Sequence, residues 1–428
     1  MENKIMITEQ ERQLNEVLTE IAKSLDISPS DFKRAEERYK AVGKWLEEGY
    51  IKECYPKSNG MPEIYPQGSM RLGTVVRPLR EGKEADFDID LVCQFDEEKE
   101  NENQQLVKQQ TGDRLKDHAD YKRMLTPEGK RCWTLEYAED SNGCGFHLDV
   151  LPCVPDPFYD AVPHSNHAVA ITDKDKGNNL YSWKGGNPRG YANWFDDRQK
   201  SIYEAIFESA RSAVFNSNRE IFASVEAVPN SLIKTPLQMT IQLLKRHRDS
   251  TFVEHPLEEY KPISMIITTL AAIVYNGETD VLSFMNKICS YLDAYSSLLD
   301  NGSVGSPYSG INLIQKRNGE WWIPNPVNPE ENFADRWNES GSKRPQAFFY
   351  WASCLKNDLN KFLNKQNILM LRSDLSRCFG EKYINKAFGA ALSAGHTLNS
   401  SSATSHSTSP MPVKEIKSPS RPWGEKYV

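Results

Sequence analysis

Apolar residues near the start of the chain recur every three or four positions. Leu14, Val17, Leu18, Ile21 and Leu25 mark one amphipathic helix, and Phe32, Ala35, Tyr39, Val42 and Leu46 a second, capped by Ser28-Pro29 and stopped near Gly49. From about residue 60 to 155 the segments alternate strand and turn. There Phe87, Ile89 and Leu91 alternate with Asp88 and Asp90, and Phe146, Leu148 and Val150 alternate with His147 and Asp149. A period of two predicts strands, each with its carboxylates on one face. Residues 195–380 are largely helical: Thr235 suits an N-cap and Pro236 the first helical position of a helix running through Asp249, and a second runs from Lys261 past Ile266, Ile267 and Leu270 to Gly277. Asp156 to Gly190, rich in Asp, Asn, Gly, His and Pro, reads as a long irregular connection. The expected division is N-terminal helices over 1–58, a catalytic core over 59–195, a helical lobe over 196–390, and a flexible Ser/Pro-rich tail over 391–428, where apolar residues are too few to fold.

Composition narrows the class. The 428 residues can bury a substantial core, and 52 Lys and Arg against 59 Asp and Glu give a formal net charge of -7. Nothing in that balance argues for long nucleic acid as a ligand. No apolar run is long enough to span a bilayer, and the N-terminus has no signal-peptide core, so a soluble cytoplasmic protein is expected. The eight cysteines are scattered, with neither a disulfide framework nor paired zinc spacing, and are expected to be reduced thiols.

The chemistry concentrates in Gln67-Gly68-Ser69 and the aspartates that follow it. Glycine lets backbone amides and the Ser69 hydroxyl approach a phosphate oxygen, and a same-face Asp88/Asp90 pair suits a hard divalent cation such as magnesium. Each feature also has a bland reading: an ordinary turn, and a half-solvated strand. Asp86 shares the parity but sits at the strand start, where turn chemistry explains it. Asp149 is the candidate third carboxylate, its alternative being a strand-end turn before Pro152. In Lys245-Arg246-His247-Arg248, Lys245 is either a charge for phosphate or part of a solvated basic helix face, and His247 is read as structural. Tyr181, Trp183 and Trp194 suit base stacking or packing, and packing is preferred.

A glycine-serine turn followed by an aspartate pair resembles the polymerase beta-like nucleotidyltransferases. Lys245 and Ser264 on successive helices, Gly185 to Phe195 and Asn325 to Trp337 extend the resemblance to the bacterial cGAS/DncV-like nucleotidyltransferases over roughly residues 10 to 385. The resemblance implies an α+β fold: a mixed-sheet nucleotidyltransferase lobe packed on a helical lobe, bridged by a long N-terminal spine helix. It implies catalytic, metal-holding Asp88, Asp90 and Asp149, with two magnesium ions about 4 Å apart. Manganese is the substitute metal. Gln67, Gly68, Ser69, Lys245 and Ser264 would bind the triphosphate of ATP or another nucleoside triphosphate. The implied product is a cyclic di- or trinucleotide messenger in CBASS anti-phage signalling; because neither an extended basic surface nor a zinc insertion is evident in the sequence, activity without nucleic-acid activation is expected. Other CBASS operon proteins, including a ubiquitin-like conjugation enzyme acting on the tail, are the implied partners. A linear 2'-5' oligoadenylate synthase and a silent nucleotide-binding partner are the alternatives.

Overall fold

The computed structural model describes residues 8–49, 62–80, 82–138, 145–158, 161–175, 177–295, 314–365 and 367–389. The tail over 391–428, Cys54 and Cys144 lie outside them. Helices α1 (Glu9–Leu25) and α2 (Pro29–Gly49) form where the periodicity predicts. Thr8 and Glu11 close a reciprocal capping box on α1. The buried face of α1 joins the helical core, whereas that of α2 joins the sheet core, so the pair ties the two lobes together.

After β1 (Glu63–Gln67) come the five-residue helix α3 (Gly68–Leu72) and a small hairpin of β2 (Leu79–Arg80) with β3 (Lys83–Glu84). Next are β4 (Phe87–Gln94), α4 (Gln104–Lys116), α5 (Ala119–Met124), β5 (Trp133–Tyr137), β6 (Phe146–Pro155), β7 (Val169–Lys174) and β8 (Tyr181–Gly186). They build a six-stranded mixed sheet in the order β1-β4-β6-β7-β8, with β5 also paired to β6. Only β4 and β6 are parallel among these pairs. One face, carrying Phe87, Ile89, Leu91, Leu148 and Val150, packs under α2 and α4. The other is polar at the Asp88 end and apolar further along, at Val92, Leu151, Cys153, Val169 and Ile171.

Two departures from the sequence expectation stand out. Asp156 to Gly190 is not an irregular connection, because β7 and β8 within it pair antiparallel over Val169–Lys174 and Tyr181–Gly186. Turn-forming residues on either side mask two short strands whose ladder partners are supplied by the rest of the sheet. Likewise α4 and α5 interrupt the strand-and-turn region. Trp183 packs on the sheet core and Trp194 on the helical core, and Tyr181 hydrogen-bonds Glu128, in keeping with the packing reading.

The helical lobe comprises α6 (Pro188–Ser217), α7 (Pro236–Phe252), α8 (Ser264–Val274), α9 (Val281–Ala294), α10 (Arg344–Asn364) and α11 (Arg372–Phe379). Two hairpins, β9 (Gln315–Arg317) with β10 (Glu320–Trp322) and β11 (Pro324–Asn325) with β12 (Asn328–Asn332), lie between α9 and α10. Helix α7 is buried on nearly every side and opens with a Thr235/Gln238 capping box and Pro236 in its first turn. No described helix is long and apolar enough to cross a membrane.

Candidate active site

The sheet register brings the distant carboxylates together. Asp90 pairs across β4 and β6 with Asp149, which pairs across β5 with Thr134; on its other side Asp90 pairs with Gln67. Paired residues in adjacent strands share a face, so Gln67, Asp90, Asp149 and Thr134 form one row. Asp88 lies two residues along β4, beside His147, whose Nδ1 is 3.4 Å from Asp88 Oδ1.

Gly68 crosses directly over this row. Its φ is +63°, and a Cβ there would stand 2.1 Å from Asp90 Oδ2. Only glycine permits that approach and that backbone. Asp90 is thereby enclosed: burial pushes its carboxyl up to about 7, and Asp149 and then Asp88 add repulsion. Burial also raises Asp149, partly offset by a 2.5 Å hydrogen bond donated by Thr134 Oγ1.

Helix α7 supplies the opposite wall by gripping the chain that leaves α3. Gln238 Nε2 donates to Leu72 O, Gln242 Nε2 to Val75 O, Lys245 Nζ to Thr74 O at 2.9 Å and Oγ1 at 3.1 Å, and Arg246 to Arg77 O. Spacings of four, three and one place these donors along one side of the helix. The basic run is therefore no solvated face: Lys245, Arg246, His247 and Arg248 are all buried. Burial, reinforced by Arg248, pushes the Lys245 amine down to about 7.

A cavity of about 260 Å³ results, lined by Gly68, Ser69, Asp88, Asp90, Asp149, Lys245 and Ser264. Gln67 alone of the residues singled out in the sequence does not line it and faces an adjoining cavity. Arg248 and Thr74, which sequence reasoning passed over, do line it. Arg248 Nη1 donates to Ser264 Oγ at 3.0 Å and to Pro262 O, while Asp249 Oδ1 accepts from Arg248 Nε at 2.8 Å. Ser264 is thus held as an acceptor from behind, which leaves its own proton free for the cavity. The available signal was a polar set, Gln238, Gln242, Lys245 and Arg248, recurring at helical spacing of three and four along the helix.

The all-oxygen donor set of Asp88, Asp90 and Asp149, with its uncompensated negative charge, fits magnesium. The carboxylates are splayed, however. Among the described residues, the His/Cys/Asp/Glu group whose ligand atoms all come within 4.8 Å of one another is His247, Asp358 and Cys378 instead. Asp149 is held by Thr134 and Asp88 stands beside His147.

Residues 62–152, which hold the glycine-serine turn and all three aspartates, match the family described as cyclic GMP-AMP synthase DncV-like, nucleotidyltransferase domain. That segment therefore carries a DncV-like nucleotidyltransferase domain. The chain is 29% identical over 353 residues to a c-di-GMP synthase of Roseivirga ehrenbergii, covering 82% of this chain and 79% of the relative. It is 24% identical over 341 residues to the cyclic dinucleotide synthase CdnG of Bradyrhizobium diazoefficiens, covering 76% and 71%. The solved structure of the Bradyrhizobium diazoefficiens CD-NTase CdnG in complex with GTP superposes with a TM-score of 0.63 at 19% identity, over 88% of this chain and 98% of that one. The α+β nucleotidyltransferase fold is thereby shared, and the chain is a nucleotidyltransferase enzyme.

Proposed function

We propose that this enzyme joins nucleoside triphosphates into a cyclic di- or trinucleotide and releases pyrophosphate. The supporting observation is one cavity in which Asp88, Asp90 and Asp149 face a glycine-serine bend, Lys245 and Ser264. That two curated relatives are cyclic dinucleotide synthases supports the same product class.

Asp88, Asp90 and Asp149 would hold the magnesium. When bound, the metal lowers the pKa of the attacking ribose hydroxyl and neutralises phosphate charge. The protein's own contribution is positioning. Backbone amides at Gly68 and Ser69 and the Ser264 hydroxyl donate to phosphate oxygens. Ser264 opens α8, whose N-terminus has no side-chain cap, so its first-turn amides add to that anion site. Lys245, its amine pushed down to about 7 by burial, would take up a proton as the triphosphate brings negative charge beside it. Gln238, Gln242 and Lys245 hold the Leu72–Val75 segment against α7, so the bend cannot drift from the carboxylates.

Cytoplasmic action within CBASS anti-phage signalling, without activation by long nucleic acid, belongs to the same proposal and is supported by the match of residues 62–152 to the DncV-like nucleotidyltransferase domain. The test is incubation with magnesium and each labelled triphosphate in turn, followed by phosphatase and mass spectrometry. A phosphatase-resistant cyclic product is expected. A linear 2'-5' product would replace the cyclising assignment, and no product from any triphosphate would make the chain a silent nucleotide-binding protein.

A further inference from the structure

Beyond Gly68, Leu72 and Met265 the site continues into a second cavity of about 220 Å³, which shares those three residues as walls. Leu151 and Ile171, from the apolar end of the sheet face, and the ring of Phe333 give it apolar surfaces. Two of its side chains carry opposite charge: Arg131, just before β5, and Glu331, on β12.

Both are anchored by neighbouring side chains. Asn325, almost wholly buried, donates from Nδ2 to Glu331 Oε2 at 2.8 Å, and its Oδ1 accepts from the Val327 amide. Glu331 Oε1 has no hydrogen-bond partner among the described residues. Burial pushes the Glu331 carboxyl up, and Asn325, Lys184 and Arg131 oppose that push. Arg131 is anchored through Nε to Asp173 Oδ2 at 2.9 Å, which leaves its terminal nitrogens for another acceptor.

A carboxylate and a guanidinium beside apolar walls match one base better than the others. Guanine carries adjacent donors at N1 and N2, which suit a carboxylate, and acceptors at O6 and N7, which suit an arginine fork. Adenine places a donor at the O6 position and an acceptor at N1, so it would meet Arg131 with a donor and Glu331 with an acceptor. We propose that this cavity takes a guanine base, with Glu331 accepting from N1–H and N2–H and Arg131 donating to O6 and N7. The proposal rests on the synthase reading only for the expectation that nucleotides enter the cleft.

Equilibrium binding of non-hydrolysable GTP, ITP and ATP analogues with magnesium tests it, since ITP lacks only the N2 amine. The wild-type protein is expected to prefer the GTP analogue over the ITP analogue by about tenfold, and Glu331→Gln to bring that ratio close to one. Arg131→Met should instead erode the preference for GTP over ATP. Its separate readout keeps the test open if Glu331→Gln fails to give a wild-type circular dichroism spectrum. Equal wild-type binding of GTP and ATP analogues, or an unchanged GTP/ITP ratio in folded Glu331→Gln, would overturn the proposal. The ratio does not depend on turnover, so it can fail while cyclic product is still made, and it can hold where no product forms.

Discussion

Two clusters of ionisable side chains lie against α7, and they differ in how their charges are met. Lys245 and His247 are two residues apart, hence about 200° apart around the helix. Lys245 faces Asp88, Asp90 and Asp149, a set of like charges held under a glycine, with Asp90 driven up to about 7. His247 faces Asp358 and Cys378, where demand is satisfied. Trp351 Nε1 donates to His247 Nδ1 at 3.2 Å, so Nε2 carries the proton shared with Asp358. Burial opposes ionisation of Asp358, yet His247, Arg377 and Lys361 hold its carboxyl far below the usual range. Proximity alone would choose the second cluster as the metal site. Charge accounting favours the first as the proposed site, because three acids facing a single lysine retain excess negative charge, whereas the His247 cluster is already neutralised and ties α7 to α10 and α11.

The sharpest break in that comparison is Asp90→Asn. Product formation is expected to fall by at least about 10³-fold, corresponding to several kcal/mol of lost charge stabilisation. The metal-free variant should melt no lower than wild type, since a repelled buried charge has gone. Retained synthesis at the wild-type rate would remove the carboxylate assignment. Next in size, Lys245→Met should raise the KM for nucleoside triphosphate roughly 10- to 100-fold, the equivalent of one charge-assisted hydrogen bond.

The other cluster should respond in stability and not in catalysis. Asp358→Ala is expected to cost about 1.5–3 kcal/mol in urea unfolding. Arg377 and Lys361, both about half exposed, can turn to water, which keeps the loss moderate. The specific activity of the folded fraction should stay near wild type, and neither zinc nor a chelator should move the midpoint. A zinc-dependent midpoint would show that the His247 cluster is a metal site after all.

The smallest effect concerns pH. In the folded chain burial pushes the Lys245 amine down to about 7 from its ordinary 10.5. Between those values the unfolded chain binds a proton that the folded one lacks, so Lys245 makes metal-free stability rise with pH across that window. Melting temperatures from pH 7 to 10.5 should show a component of that rise that Lys245→Met removes.

Much of the architecture was legible locally. Alternation at Phe87–Val92 and Phe146–Leu151, three-and-four spacing in the first two helices, and Thr235-Pro236 at a helix start each depend on neighbours within a few residues. The aspartates, the glycine-serine turn, Lys245 and Ser264 could be singled out for the same reason: their residue types and spacing suggest chemistry before any fold exists. Gln67, grouped with them, faces the next cavity because it ends β1 on the far side of the Gly68 crossing.

What the sequence by itself determined was the run of strands and helices and the short-range motifs, because periodicity and capping are settled by contacts within a turn or two. Only the tertiary structure decided that Asp90 and Asp149 stand side by side, that β7 and β8 are strands, and that the basic run of α7 is buried. It alone brought Arg248 behind Ser264, and Glu331 and Arg131 to one cavity. The physical reason is separation along the chain. Thr74 meets Lys245 across 171 residues, and local pattern carries no record of a hydrogen bond or a shared wall whose other half arrives only when the lobes close.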